Sequence, residues 1–238
     1  YKSFELIIFD NYSTDNTKKI AKSFKDSRVK YFKTDKKYHL GKARELATKK
    51  VQNNWISFLD SDDLWLPTKL FEQAEYIKRK KNIGLVYTDF SYIDKNSTDL
   101  KKKSYTKFYK TFVLKKLIKK NYVCFSSIIF NKKIIKTNHI FNPILKNSED
   151  YDLLLKIAQT SSIGSINKKL VKYRIHENNL TKFQIKRSFS EWQYLVYKYS
   201  KNHLKEKKKI KTRYKLEKLK KKLFKLFKLC KFIKNGFF

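Results

Sequence analysis

Residues 55–67 read WISFLDSDDLWLP, and this stretch decides the fold. The apolar run Trp55–Leu59 has the length and composition of a buried strand in a parallel sheet. It stops at Asp60, and Asp60-Ser61-Asp62-Asp63 follows at once. Three carboxylates in four residues repel one another and are costly to desolvate. A divalent cation bridging to phosphate oxygens offsets that cost, and such mixed ligation is typical of Mg²⁺ or Mn²⁺. In open α/β sheets ligands bind just beyond the carboxyl ends of strands, which is where this cluster is expected. A second reading stays open: an Asp ahead of Leu-Trp-Leu-Pro caps the next helix, with Pro67 in its first turn. Capping accounts for Asp63 but not for Asp60 and Asp62.

Outward from this block, strand and helix patterns alternate. FELIIF at 4–9 reads as a strand, and a helix follows from about Asp15 to Phe24, capped by Ser13 or Thr14. Val29–Phe32 is a short strand, Gly41–Val51 a helix, Pro67–Lys80 a helix and Gly84–Tyr92 a strand. The lysine-rich segment 94–109 reads as a mobile loop. Thr111–Lys119 reads as a short helix, Cys124–Phe130 as a strand, Glu149–Gln159 as a helix and Ile163–Ile175 as an extended run ending at His176. This order predicts an α/β fold built on a mostly parallel sheet.

The 238 residues suit one domain, 1–181, and a basic helical tail, 182–238. A hydrophobic share of 41% supports a real core. No apolar run reaches the ~18 residues of a membrane span, and no signal peptide is recognisable. The chain lacks methionine and starts at Tyr1, which reads as a fragment without its true N-terminus or as a processed product. Cys124 and Cys230 lack metal-ligand spacing and read as reduced thiols, so a cytoplasmic compartment is expected. The formal charge of +37 suggests a nucleic-acid partner, but 52 Lys against 6 Arg argues for compositional bias instead. No nucleic-acid partner is expected.

Five blocks in order resemble family 2 glycosyltransferases with the GT-A fold: FDNYSTDNT at 9–17, LGKARELA at 40–47, FLDSDDLWLPTKL at 58–70, NSEDYDLLLKI at 147–157 and YRIHENNLT at 173–181. The resemblance implies a Rossmann-like mostly parallel sheet flanked by helices. It also implies an inverting, metal-dependent transferase that moves a sugar from a nucleotide-sugar to a hydroxyl of a cell-surface glycan or lipid-linked acceptor. Two departures stand out. The family's opening strand, which contributes to the nucleotide pocket, is absent before FELIIF. Asn11 also stands where the family usually has a second Asp, which weakens a preference for a UDP-sugar donor without removing it, since an amide oxygen still accepts.

By this resemblance Asp62 holds Mn²⁺ or Mg²⁺, and Asp60 contacts the ribose or the metal. Asp10 and Asn11 lie beside the nucleoside, Arg44 pairs with phosphate, and His176 touches diphosphate or metal. Asp150 is the base that takes the acceptor proton, a role typically worth about 10²–10⁴ in rate, and Glu149 orients it. Each has a plainer alternative: a turn carboxylate for Asp10, a surface arginine for Arg44, first-turn acids behind a Ser148 cap for Glu149 and Asp150, and a structural histidine for His176.

Residues 182–238 carry 20 Lys or Arg against 3 Glu. Leu216, Leu219, Leu223, Leu226, Cys230 and Ile233 form one apolar stripe. Such a helix lies at an anionic membrane surface, or packs on the catalytic domain, or pairs with a copy of itself. The first choice places the protein peripherally at the inner face of a bacterial plasma membrane. The rival readings are a non-catalytic relic of the fold, a nucleotidyltransferase, and a charge-driven nucleic-acid binder.

Overall fold

The structure, a computed structural model, describes residues 1–110, 113–177, 179 and 185–200, side chains 185–189 excepted. The chain divides into two compact units, Tyr1–Trp192 and Gln193–Phe238. Residues 205–238, with the apolar stripe and Cys230, lie outside the described residues. No described helix is long and apolar enough to cross a membrane.

Eight strands and six helices build the described chain. The strands are β1 Leu6–Asp10, β2 Val29–Lys33, β3 Trp55–Ile56, β4 Leu64–Trp65, β5 Ile83–Ile93, β6 Asp99–Leu100, β7 Ile129–Asn131 and β8 Ser162–Arg174. The helices are α1 Thr17–Ser23, α2 Leu40–Thr48, α3 Lys69–Arg79, α4 Val113–Lys119, α5 Glu149–Thr160 and α6 Ile185–Tyr199. β1 and β2 form a parallel pair. The larger sheet runs β3-β7-β5-β8-β4, with β6 on β5. Its longest pairing, β5 with β8, is parallel. The antiparallel pairings, β3–β7, β4–β8, β5–β6 and β5–β7, are each two residues long. The sheet is thus mixed, with the parallel character in its long ladders.

β5 forms the centre because GLVYTDFSYI is apolar or small along nearly its whole length and lies between two strands. Phe90, Tyr92, Cys124 and Val171 form one buried cluster, and Val86, Ile166 and Leu170 form a second. A third centre is aromatic: Phe58 lies 5.3 Å from both Phe125 and Phe141, centroid to centroid.

Several local expectations are corrected. Trp55–Leu59 is a strand only at Trp55–Ile56, and it pairs antiparallel with β7. Past Ile56 the chain leaves the ladder: Ser57 Oγ donates to the Ile128 carbonyl, and Leu59 is exposed. Cys124–Phe130 opens as a 3₁₀ turn at Phe125–Ser127 before β7. Neither Ser13 nor Thr14 caps α1; the Asp15 carboxylate accepts from Thr17 N–H at 3.0 Å. Segment 94–109 begins as a hairpin, with Asp94 Oδ1 accepting from Asn96 and Thr98 N–H. Cys124 is a fully buried free thiol, and burial pushes its pKa up.

Candidate active site

The acidic turn lies between β3 and β4, closed by Asp63 N–H donating to the Asp60 carbonyl at 3.0 Å. Asp63 does not cap α3. The N-cap position is Thr68, and Asp63 is buried at 4% exposure. Its carboxylate accepts from Ser126 Oγ at 2.6 Å and from Arg174 N–H at 2.9 Å. Burial nevertheless raises its pKa to about 6, because desolvation outweighs those two bonds. Arg174 then donates from Nε to the Asp62 carbonyl and from Nη1 to the Asp94 carbonyl, both at 2.8 Å. One arginine on β8 thus ties the acidic turn to the β5–β6 hairpin. Neither Arg174 nor Ser126 was singled out from sequence; Arg174 stands two residues before His176 in the YRIH block, which was the available signal.

Asp62 is left partly exposed at the tip of the turn. His176 Nε2 lies 3.0 Å from its Oδ2, and Asn179 Nδ2 donates to the same oxygen at 3.4 Å. Asn179 in turn accepts from His176 N–H at 2.7 Å. The late histidine and the acidic turn, 114 residues apart in sequence, are therefore in contact.

Arg44 joins the two acidic blocks. Its Nη2 donates to Asp60 Oδ1 at 2.5 Å and its Nη1 to Glu149 Oε1 at 2.8 Å. The guanidinium carbon lies 4.2 Å from the Phe125 ring centroid. Gly41, one helical turn earlier, makes this possible: a Cβ there would sit 2.9 Å from the Leu145 carbonyl and 3.1 Å from Glu149 Cβ. Without a side chain at Gly41, α2 lies close against the start of α5, and Arg44 reaches Glu149.

Glu149 is 2% exposed and its second oxygen, Oε2, has no hydrogen-bond partner among the described residues. Burial drives its pKa up, aided by the neighbouring Asp150 and opposed by Arg44. Burial also raises Asp150, with Arg44 opposing. Asp150 Oδ1 accepts from Tyr151 N–H at 2.6 Å. Ser148 occupies the N-cap position but makes no side-chain capping bond. The loop before it is held instead by Glu191 of α6, whose carboxylate accepts from Lys146 and Asn147 N–H, each at 2.9 Å.

Asp10 and Asn11 make no hydrogen bond to Asp60 or Asp62 among the described residues. Asp10 is buried, accepting from Ser13 N–H at 2.7 Å and from Tyr31 Oη at 2.5 Å. Tyr31 rises to about 12 through burial and that bond. Asn11 clamps the backbone of Tyr38, donating to its carbonyl at 2.7 Å and accepting its N–H at 2.9 Å. This clamp sets the loop that leads into α2 and Arg44.

Whether these residues suit a divalent cation is a question of donor number. Among the described residues no three acidic, histidine or cysteine side chains gather as a metal cage. Asp62 Oδ1 and Asp60 Oδ2 make no hydrogen bond or ion pair there. Mg²⁺-type sites use one or two carboxylates with substrate phosphates. The pair fits a cation shared with a diphosphate and does not fit a closed protein cage.

A model of the family described as Glycosyl transferase family 2 matches residues 1–138. The chain is 28% identical over 200 residues to WfgD of Escherichia coli, named a UDP-Glc:alpha-D-GlcNAc-diphosphoundecaprenol beta-1,3-glucosyltransferase. That match covers 82% of this chain and 75% of WfgD. It is 27% identical over 208 residues to the uncharacterized glycosyltransferase MJ1057 of Methanocaldococcus jannaschii, covering 85% and 69%. S. aureus TarS 1-349, solved in complex with UDP, superposes with a TM-score of 0.61 at 19% identity over 81% of this chain. This chain spans 55% of that one, about half its length. The superposition establishes the fold as the GT-A architecture expected from the sequence.

Proposed function

We propose that this chain, which belongs to glycosyl transferase family 2, transfers a sugar from a UDP-sugar to a hydroxyl of a lipid-linked or cell-surface glycan, with inversion at the anomeric carbon. The observation that carries the reading is the Arg44 bridge, which sets the donor-side carboxylate Asp60 and the acceptor-side pair Glu149–Asp150 around one cation. A relative named for a UDP-Glc donor and a diphosphoundecaprenol acceptor supports the substrate classes.

In this mechanism Asp150 accepts the proton of the attacking acceptor hydroxyl. The new glycosidic C–O bond forms as the bond from the anomeric carbon to the diphosphate oxygen breaks, and the electron pair leaves with the nucleoside diphosphate. The raised pKa of Asp150 suits it to hold that proton better than an ordinary carboxylate. Glu149, fixed by Arg44, keeps Asp150 in place and supplies negative potential beside it. Asp62, with Asp60 and His176 beside it, would hold a Mn²⁺ or Mg²⁺ ion, which would supply charge neutralisation to the leaving diphosphate. Asp10 and Asn11 shape the loop on the nucleoside side.

The basic tail is assigned to an anionic membrane surface, which places the enzyme peripherally at the inner face of a bacterial plasma membrane, beside a lipid-linked acceptor. Calorimetry on the full chain tests the donor assignment: UDP binds in the presence of Mn²⁺ or Mg²⁺, and Asp62→Ala abolishes binding. Unchanged UDP affinity in Asp62→Ala overturns the metal–nucleotide role of the acidic turn.

A further inference from the structure

Lys69, the first residue of α3, is wholly buried and has no carboxylate partner among the described residues. Its Nζ donates to Ser57 Oγ at 3.0 Å and to Gln73 Oε1 at 2.9 Å, and lies 3.9 Å from the Trp65 ring centroid. Burying an amine without an acid is costly, and methionine fills a similar volume without that cost, so packing alone does not call for lysine here. What lysine adds is a pair of N–H donors, each met by an oxygen. Burial lowers its pKa to about 7, and the amine keeps two donors whether it is protonated or neutral.

The three side chains around this amine hold three successive backbone carbonyls. Trp65 Nε1 donates to the Ser126 carbonyl at 2.7 Å, Gln73 Nε2 to the Ser127 carbonyl at 2.9 Å, and Ser57 Oγ to the Ile128 carbonyl at 2.5 Å. Lys69 sets the orientation of each. With Oε1 on the amine, Gln73 turns its NH₂ group to the Ser127 and Val86 carbonyls. With its oxygen accepting from the amine, Ser57 sends its own hydrogen to Ile128. With its ring face against the amine, Trp65 aims its N–H at Ser126. The turn gripped in this way is the one that anchors the acidic residues. Ser126 Oγ accepts from Asp60 N–H at 3.2 Å and donates to Asp63 at 2.6 Å, so Asp62 lies between two residues tied to Ser126.

We propose that Lys69 is a positioning residue for the donor site: through Ser57, Gln73 and Trp65 it fixes carbonyls 126–128, and through Ser126 it holds the Asp60–Asp63 turn in the shape that presents Asp62 to a cation-bound diphosphate. The assignment rests on the transferase reading above and deepens it, because it names the buried support of the acidic turn. Lys69 touches neither donor nor cation and acts only through the residues it orients. Residues that orient a metal-binding carboxylate at one remove typically carry about 10–100-fold in metal affinity, and that is the scale expected here.

The test is calorimetry of UDP binding to the full chain with Mn²⁺ present, joined to amide hydrogen exchange without any ligand. Lys69→Met is expected to weaken Mn²⁺-dependent UDP binding by about tenfold or more. A residue that only packs would change the stability of the fold and leave the affinity of the folded protein where it was. Lys69→Met is also expected to speed exchange of the Asp60 and Asp63 amides by a larger factor than that of the β5–β8 ladder, which reports global opening. Ser57→Ala removes only the link to Ile128, is expected to weaken UDP in the same direction by less, and serves where Lys69→Met does not fold. Because Lys69 acts through Ser126, Lys69→Met is expected to add little to the loss caused by Ser126→Ala. Unchanged UDP affinity in both single variants, or exchange at Asp60 and Asp63 that rises only in step with the β5–β8 ladder, overturns the assignment; fully additive losses overturn the route through Ser126. If UDP with Mn²⁺ fails to bind wild type, the transferase reading falls and this assignment with it; if wild type binds and the variants bind equally well, only the role of Lys69 falls.

Discussion

Replacing Arg44 by methionine keeps most of the side chain's length and removes its charge. In the folded protein this leaves Glu149, 2% exposed, beside Asp150 with no cation, and leaves Asp60 without its partner. Removing one member of a buried pair costs about 3–5 kcal/mol. Two features lower that figure here. The Asp60 side chain is 38% exposed, so solvent screens its half of the interaction. Glu149 also relieves its own penalty by taking up a proton. The expected loss is therefore about 3 kcal/mol where Glu149 is otherwise ionised, and it depends on pH. Glu149 has a folded pKa raised above its ordinary 4.5, so the folded state binds the proton more tightly than the unfolded chain. Stability from this group is present at low pH and falls as pH rises through the raised value. Without Arg44 that value rises further and the fall extends to higher pH. The destabilisation by Arg44→Met is thus small near about pH 5 and largest near about pH 8. Urea unfolding of both proteins at the two pH values measures it. A loss equal at both, or below about 0.5 kcal/mol at the higher, refutes the reasoning.

Asp150→Asn keeps the shape of the side chain and removes its capacity to take a proton; sugar transfer is expected to fall by about 10²-fold or more with UDP affinity unchanged, and near-normal turnover removes Asp150 as the base. Lys69, fully buried against Ser57, Gln73 and the Trp65 ring, has a pKa lowered from 10.5 to about 7 by burial. Its unfolded form binds the proton more tightly, so wild type gains stability as pH rises across that window, and Lys69→Met lacks the gain; parallel stability–pH curves for the two proteins rule this out. Deleting residues 205–238 is expected to abolish binding to anionic liposomes while leaving the far-UV circular dichroism of the fold; binding that persists, or that ignores salt, ends the membrane assignment.

The parts of the fold that sequence reveals are those set by burial and period. FELIIF and GLVYTDFSY become β1 and β5 because continuous apolar runs have few other solutions. Pairing direction is different: Trp55–Leu59 is apolar whether it runs parallel or antiparallel, and the structure pairs only Trp55–Ile56, antiparallel to β7. Cys124–Phe130 reads as a strand by composition. In the fold Ser127 Oγ bonds the Cys124 carbonyl and Ser126 Oγ bonds Asp63, so the backbone tightens into a turn instead. Asp63 reads as a cap for the same reason. A carboxylate's partners at Ser126 and Arg174 are 63 and 111 residues away, beyond any local pattern.

The acidic blocks were legible one by one, but their relation was not. Arg44 read as a phosphate ligand or a surface residue, and the structure makes it neither exposed nor free: both terminal nitrogens are bonded to carboxylates. The deciding residue is Gly41. Glycine costs a helix about 1 kcal/mol relative to alanine, so its presence in the first turn of α2 asks for a reason. That reason is the close approach of the Leu145 carbonyl and Glu149 Cβ. Spacing of three places Gly41 and Arg44 on one helix face. A glycine that admits a neighbouring backbone, followed one turn later by a long cation, points to an acid on that neighbour. Read this way, the short motif Gly41-Lys42-Ala43-Arg44 identifies the helix face that meets Glu149, though not Glu149 itself. Naming the acid needs the tertiary contact, because the hydrogen bond spans 105 residues.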